Sequence, residues 1–238
     1  MIRDSKAFFI GLIMMVSFMG IYAYMMSPSF GNGRNGLEFA DDMFNSISKG
    51  SVQDVVQSEI KKAEQWNGNS IEVTLKAKDE EQAGRWSKVI QAVDGSEVNV
   101  NKETVMIKAD LGKLLANISE DCTNMYDNKG DVIQQKYGTD PRDATNRWYN
   151  ISKAMVKDLE KQEKFKESIA LQQYQQKVLE PSYNYYGVEA KKVSGNAGMM
   201  TFMMVFYLIY TMWYGFAIYF LCQGLGITMS KSGKKQEA

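Results

Sequence analysis

Residues Ala7 to Met26 read AFFIGLIMMVSFMGIYAYMM, an apolar run without a charged side chain. A helix rises about 1.5 Å per residue, so about twenty residues cross a hydrocarbon core of about 30 Å. A second uncharged run, MMTFMMVFYLIYTMWYGFAIYFLC, extends from Met199 to Cys222 and is long enough to cross with some tilt. The sequence therefore predicts two transmembrane helices, within residues 7–26 and 198–227, on either side of a polar middle region.

The first run has one competing interpretation. Arg3 and Lys6 precede it, and a basic segment before an apolar stretch is also the pattern of a secretory signal peptide. This stretch exceeds the usual apolar length of about 7–15 residues, and no A-x-A cleavage site follows it. We expect the helix to be retained as an anchor, with cleavage as the alternative.

Basic residues indicate which way the two helices cross. They flank the apolar runs in segments 1–6 and 228–238, as Arg3, Lys6, Lys231, Lys234 and Lys235. Basic residues are enriched on the cytoplasmic side of membrane helices. Lys191 and Lys192 lie at the other end of the second run and favour the opposite orientation, although long translocated domains do not follow this rule. We predict cytoplasmic termini, a plasma (inner) membrane location and an extracytoplasmic, periplasmic middle domain.

The middle region begins with helical periodicity. Segment 27–69 starts with a glycine-rich exit loop, and apolar residues from Leu37 to Ile47 then recur at helical spacing up to Lys49-Gly50. Because glycine favours a helix C-terminus and Ser51 favours an N-terminus, two successive helices are predicted, the second ending near Trp66.

Segment 70–127 predicts a small β-α-β-β-α unit. Apolar residues alternate with polar ones from Ile71 to Ala77, which indicates a strand with one buried face. A helix follows Asp79, a hairpin contains Val98 to Ile107, and a second helix follows Asp110. Helices on one face of about three strands give an α+β fold. Cys122 lies on the apolar stripe of the last helix, which favours a buried, inert thiol.

Segment 128–182 is predicted to be helical. Asp127–Asp131 favours an Asx turn, and Asp140-Pro141 starts either one helix of about forty residues or a helical hairpin that turns between Lys157 and Glu167. Glu180-Pro181 is expected to end it. Residues 183–197 then form a juxtamembrane loop, with three tyrosines as a candidate docking loop: Tyr183, Tyr185 and Tyr186.

Composition excludes several function classes. The chain of 238 residues has 28 basic and 28 acidic side chains, so no net charge attracts nucleic acid. It has no histidine, which removes His-based catalytic triads and His-ligated zinc or haem. Neither apolar run contains an Asp, Glu, Lys or Arg to mark a transport path. We expect no enzymatic activity, no cofactor and no metal.

The apolar runs carry a candidate partner face. Tyrosines near the middle of a membrane helix need a polar partner, and small residues four apart let helices approach closely. The residues of this face are Ala7, Gly11, Tyr207, Tyr210, Thr211, Tyr214 and Gly215. They indicate packing either between the two spans or against a separate membrane subunit.

These features predict a non-catalytic accessory or assembly subunit of a larger respiratory or transport complex in the lipid bilayer. The alternatives are a homo-oligomeric two-span channel or scaffold and an extracytoplasmic sensor or ligand-binding module. The layout of two spans around a domain resembles that of polysaccharide chain-length regulators. The proline-rich segment expected before their second span is missing here, so the resemblance is architectural.

Overall fold

The computed structural model describes residues 2–227, so the predicted basic tail with Lys231, Lys234 and Lys235 lies outside the described residues. In chain order the elements are α1 (Ser5–Met25), α2 (Gly36–Ala63), β1 (Ser70–Lys76), α3 (Glu80–Ile90), β2 (Glu97–Asn101), β3 (Thr104–Asp110), α4 (Leu111–Tyr126), α5 (Gly130–Tyr137), α6 (Pro141–Lys161), α7 (Phe165–Tyr174), α8 (Glu180–Asn184) and α9 (Val193–Gly224). The chain divides into two compact units: Asn45–Lys191 forms one, and the residues before and after it form the other.

Helices α1 and α9 are both long and apolar enough to cross a membrane. Helix α9 has 32 residues, about 48 Å at the usual helical rise, which exceeds a hydrocarbon core. It begins at Val193, inside the segment predicted as a loop, although Gly195 and Gly198 are weak helix formers. The Asn196 side chain donates to the Lys192 carbonyl oxygen at 3.0 Å and supports this first turn.

The predicted break at Lys49-Gly50 is wrong, because α2 is one continuous helix of 28 residues. Gly50 lies in its interior, where the backbone of Lys191 packs so closely that a Cβ atom would overlap the Lys191 carbonyl. The Ser51 hydroxyl donates back to the Ile47 carbonyl at 3.0 Å and does not cap a new helix. The glycine thus permits a close tertiary contact, and it does not end the helix.

The predicted β-α-β-β-α unit is confirmed. Its three strands form an antiparallel sheet in the order β1-β3-β2, with Val73 opposite Ile107 and Val98 opposite the same residue on the other side. Strand β1 alternates strictly between exposed and buried residues. Its buried face joins one apolar core with helices α3, α4 and α6, and that core includes Trp86, Ile118 and Trp148.

The helical segment forms a hairpin, which decides between the two alternatives that the sequence left open. Helix α6 ends at Lys161, and the chain turns through Glu163, which adopts a left-handed φ of 59°. The predicted stop at Glu180-Pro181 is wrong, since Glu180 and Pro181 begin α8 directly after a π-helical turn over Gln175–Leu179. Proline is tolerated there because the first turn of a helix has no partner for its N–H group.

Two apolar residues of α7 lie outside the core. Phe165 and Ile169 continue the apolar spacing of α6, but both are exposed. The residues that face the core are Leu171, Tyr174 and Val178, three and four positions apart. Because the chain turns after Lys161, the side of α7 that faces the core is not the side reached by continuing the apolar spacing of α6.

Candidate functional site

Small residues bring the two apolar helices α1 and α9 into close contact. Ala7 and Gly11 are buried on α1, and Ala217 is buried on α9. A Cβ atom on Gly11 would lie 2.6 Å from the Leu221 nitrogen and 3.0 Å from the Ala217 carbonyl oxygen. The structure therefore assigns the small residues of α1 to packing against α9.

Hydrogen bonds and stacked rings join the same helices nearer their middle. The Tyr210 hydroxyl donates to the Phe18 carbonyl oxygen at 3.1 Å, and the two rings stack with centroids 4.3 Å apart. Tyr214 also contacts the Phe18 ring, at 5.1 Å. The Trp213 indole nitrogen donates to the Met14 carbonyl oxygen at 3.1 Å. Tyr210 and Tyr214 thus form contacts between α1 and α9.

The remaining residues of the candidate partner face do not contact α1. The Tyr207 side chain is exposed, the Thr211 hydroxyl donates only to the Tyr207 carbonyl of its own helix, and a Cβ atom on Gly215 would have no neighbour within 4 Å. We call Tyr207, Thr211 and Gly215 the open face of α9. The sequence grouped these three with Tyr210 and Tyr214, and the structure separates them.

The backbone closes the end of the pair where α1 starts. The amide groups of Arg3 and Asp4 donate to the Gly224 carbonyl oxygen at 2.8 and 3.1 Å. A Cβ atom on Gly224 would lie 2.5 Å from the Phe8 side chain, so only glycine allows this approach. The last carbonyls of a helix have no partner within it, and these two amide groups supply one.

A buried lysine forms the centre of a polar cluster in the unit Asn45–Lys191. Lys49 is 2% exposed, and its ammonium donates to the carbonyl oxygens of Val188 at 2.6 Å and Tyr185 at 3.2 Å, and to the Asn128 side chain at 3.3 Å. Burial lowers the pKa of Lys49, opposed by nearby carboxylates. Three acceptors match the three donors of the ammonium, so the group is fully satisfied.

Asn128 and Tyr126 complete this cluster. Asn128 adopts a left-handed φ of 60°, accepts from the Gly187 amide at 2.7 Å and donates to the Val188 carbonyl at 3.0 Å. The Tyr126 hydroxyl donates to the Lys49 carbonyl, and burial raises the pKa of Tyr126 to about 12. The predicted turn between α4 and α5 is present, but the Asn128 side chain does not close it and instead contacts Gly187 and Val188, about sixty residues away.

The three tyrosines of the predicted docking loop have different surroundings. Tyr183 lies in α8 and is 38% exposed, whereas Tyr185 and Tyr186 pack partly into the apolar core. The Arg142 guanidinium lies 5.7 Å from the ring centroids of both Tyr183 and Tyr186. Only Tyr183 has the exposure expected of a contact residue.

A second polar cluster surrounds a buried carboxylate. Asp121 accepts from Lys136 at 2.8 Å, from the Tyr137 hydroxyl at 2.6 Å and from the Trp148 indole at 2.9 Å. Burial, reinforced by Asp121, raises the pKa of Tyr137. Every oxygen of Asp121 has a donor, so the cluster satisfies a buried charge and leaves none of it free to react.

The sequence analysis predicted neither Lys49 nor Asp121 as the centre of a polar cluster, although a sequence pattern indicates each of them. Asp121 lies three residues after Ile118 and four before Met125, on the buried stripe of α4. Lys49 lies seven residues before Val56, on the same face of α2, but the assumed break at Gly50 hid that relationship. A charged residue at a core position was the clue in both cases.

Cys122 and possible metal-binding side chains are the other groups considered for reactivity. Burial raises the pKa of the Cys122 thiol to about 12. Within residues 2–227, no group of three or more Cys, Asp or Glu side chains is placed to hold a metal ion. Comparison of the chain with protein-family models, with curated proteins and with solved structures finds no match to any of them.

Proposed function

We propose that this protein is a non-catalytic accessory or assembly subunit of a larger membrane complex, respiratory or transport in type. Its two spans form a hairpin through Gly11 and Ala217, and the open face of α9 contacts another integral membrane subunit. The polar domain docks on the same complex outside the cytoplasm, through the surface around Tyr183.

Tyr207 carries the proposal. Its side chain is 71% exposed, and among residues 2–227 no group hydrogen-bonds its hydroxyl. It lies about 5 Å along the helix from the middle of the uncharged run 199–222, at the usual helical rise. A phenol in hydrocarbon without a hydrogen-bond partner is costly. A neighbouring polar group from another chain relieves that cost.

Gly215 and Thr211 support the same contact. Small residues four apart let two membrane helices approach closely, and here neither is covered by α1. The same open face also fits a second copy of the chain. The homo-oligomeric channel or scaffold is therefore the second candidate function, in which this face forms the subunit seam.

The proposed orientation has cytoplasmic termini and an extracytoplasmic domain between the spans. Arg3 and Lys6 precede α1, and basic residues are enriched on the cytoplasmic side of membrane helices. A cysteine introduced at an exposed domain position, Glu97→Cys, in a Cys122→Ser, Cys222→Ser background tests this. We expect a membrane-impermeant maleimide to label it in intact cells.

Affinity isolation from native membranes in mild detergent tests the function. We expect a stoichiometric set of larger membrane subunits to co-purify with the wild-type chain, and Gly215→Leu to lose them. Gly20→Leu is the matched control, because Gly20 also has no neighbour within 4 Å but lies on α1. Recovery of the chain alone as a defined multimer would establish the homo-oligomer, and recovery of a monomer would refute both candidates.

A further inference from the structure

A surface groove of about 340 Å³ lies between α6 and α8. Tyr149 comes from α6, and Glu180, Tyr183 and Asn184 come from α8. Its size falls at the lower end of the range of about 300–1,000 Å³ for small-molecule sites. The π-helical turn that precedes Glu180 is also a feature found often at functional sites.

The groove has one charged side chain in its lining, Glu180. Glu180 is a half-buried residue, and within residues 2–227 its carboxylate forms no hydrogen bond or ion pair. The groove therefore carries a negative charge that the fold does not compensate.

Two aromatic rings line the groove beside this carboxylate. The faces of Tyr149 and Tyr183 carry the negative part of the ring quadrupole, which attracts organic cations. A metal ion such as Ca²⁺ needs six to eight oxygen ligands, whereas the lining offers a single carboxylate. We propose that the groove binds a small organic ammonium group, with Glu180 as its counter-ion and Tyr149 and Tyr183 as aromatic walls.

Arg142 restrains one of these walls. Its guanidinium lies 5.7 Å from the centroid of the Tyr183 ring and donates to the Tyr186 carbonyl oxygen at 3.2 Å, and Arg142 is not part of the groove lining. Tyr183 is therefore held by contacts within the chain before a ligand binds. Such preorganisation lowers the entropy lost on binding. All residues of the groove lining belong to the unit Asn45–Lys191.

The test uses the full chain in phosphatidylglycerol nanodiscs and phosphate buffer, both free of organic ammonium groups. Choline is titrated, and its binding is followed by saturation transfer to its N-methyl protons. We expect saturable binding that Glu180→Gln weakens about tenfold, the loss typical of a charge-assisted contact. Tyr183→Leu should weaken it about threefold, as for an exposed cation–π contact. Glu97→Gln, which removes an exposed carboxylate on β2, should leave it unchanged.

A neutral isostere separates charge from shape. We expect 3,3-dimethylbutan-1-ol, which has the form of choline without its charge, to bind about tenfold more weakly than choline. Equal binding of the isostere, unchanged binding by Glu180→Gln, or no saturable choline binding overturns the proposal. An unaltered thermal midpoint of Glu180→Gln shows that weaker binding does not come from misfolding.

Phosphatidylethanolamine nanodiscs distinguish the two sources of an ammonium group. Because their headgroups present this group at high local concentration, they compete with free choline if the groove takes a lipid headgroup. A lower apparent choline affinity in these nanodiscs therefore assigns the site to lipid. An affinity equal to that in phosphatidylglycerol assigns it to a free small amine.

Discussion

The ammonium of Lys49 donates a hydrogen bond of 2.6 Å to the carbonyl oxygen of Val188, which lies 139 residues further along the chain. This bond joins α2, near the start of the unit Asn45–Lys191, to the segment near its end. Asn128 contacts the same carbonyl and the amide of Gly187. The two ends of the unit are thus held together by one buried cation and one amide side chain.

Replacement of this cation should destabilise the domain. Lys49→Met keeps the apolar stem but removes the charged donor from the carbonyls of Val188 and Tyr185, each of which then keeps one neutral donor, the Asn128 side chain and the Val188 amide. We expect the free energy of unfolding to fall by about 1.5–3 kcal/mol, the contribution of hydrogen bonds from a charged group. Denaturant unfolding of the full chain in detergent measures this. Lys61→Met, an exposed site on the same helix, should change stability by less than about 0.5 kcal/mol, and equal effects would contradict the role of Lys49.

Tyr126 should make the protein sensitive to alkali. Burial raises its pKa from 10.0 to about 12, so above pH 10 the unfolded chain loses this proton while the folded chain keeps it. The free energy of unfolding therefore falls between pH 10 and 12, by about 2–3 kcal/mol from this group. The stability difference between the wild type and Tyr126→Phe should shrink accordingly across this window. A difference that stays constant with pH is inconsistent with the prediction.

The charge of Asp121 should be important for stability. Asp121→Asn keeps the shape but removes the carboxylate that Lys136, Tyr137 and Trp148 share. We expect the free energy of unfolding to fall by about 1–3 kcal/mol, because the amide NH2 group replaces an oxygen that accepts from these side chains and a buried donor loses its acceptor. Asp54→Asn, on the exposed side of α2, is the matched control with an effect below about 0.5 kcal/mol. Similar denaturation midpoints for both variants would refute the prediction.

Cys122 should be unreactive in the folded protein. Burial raises its pKa from 9.0 to about 12, and the thiolate is the reactive form. At pH 8 its thiolate fraction is lower by about a thousandfold than that of an ordinary thiol. In a Cys222→Ser background, we expect N-ethylmaleimide to label the chain only after denaturation, as measured by mass spectrometry. Labelling of the native protein at the rate of a free thiol contradicts this.

Pairing of the two apolar helices α1 and α9 should depend on Gly11. Gly11→Leu places a bulky side chain against the backbone of Leu221, so we expect the helices to separate. A cross-link made by a short bifunctional maleimide between Phe18→Cys and Tyr210→Cys, with Cys122 and Cys222 replaced by Ser, reports on their distance. It should form efficiently with Gly20→Leu and fail with Gly11→Leu. Efficient cross-linking in both would show that close packing at Gly11 is not required.

Element types followed largely from local pattern. The alternation from Ile71 to Ala77 predicted β1, and Asp79 and Asp110 predicted the starts of α3 and α4. These signals act through neighbouring residues, so they can be recognised without the rest of the fold. Gly50 shows where prediction from local pattern fails. Glycine suits both a helix end and a close contact in the middle of a helix, and only the position of Lys191 distinguishes the two.

The sequence by itself determined the two apolar helices and the α+β unit, because run length and apolar period are local properties of the chain. The tertiary structure decided which residues of those elements have partners. It placed Tyr210 against Phe18 and left Tyr207 exposed, and it buried Lys49 beneath Val188. Such contacts depend on the phase of helices and on residues far apart in sequence, and periodicity specifies neither.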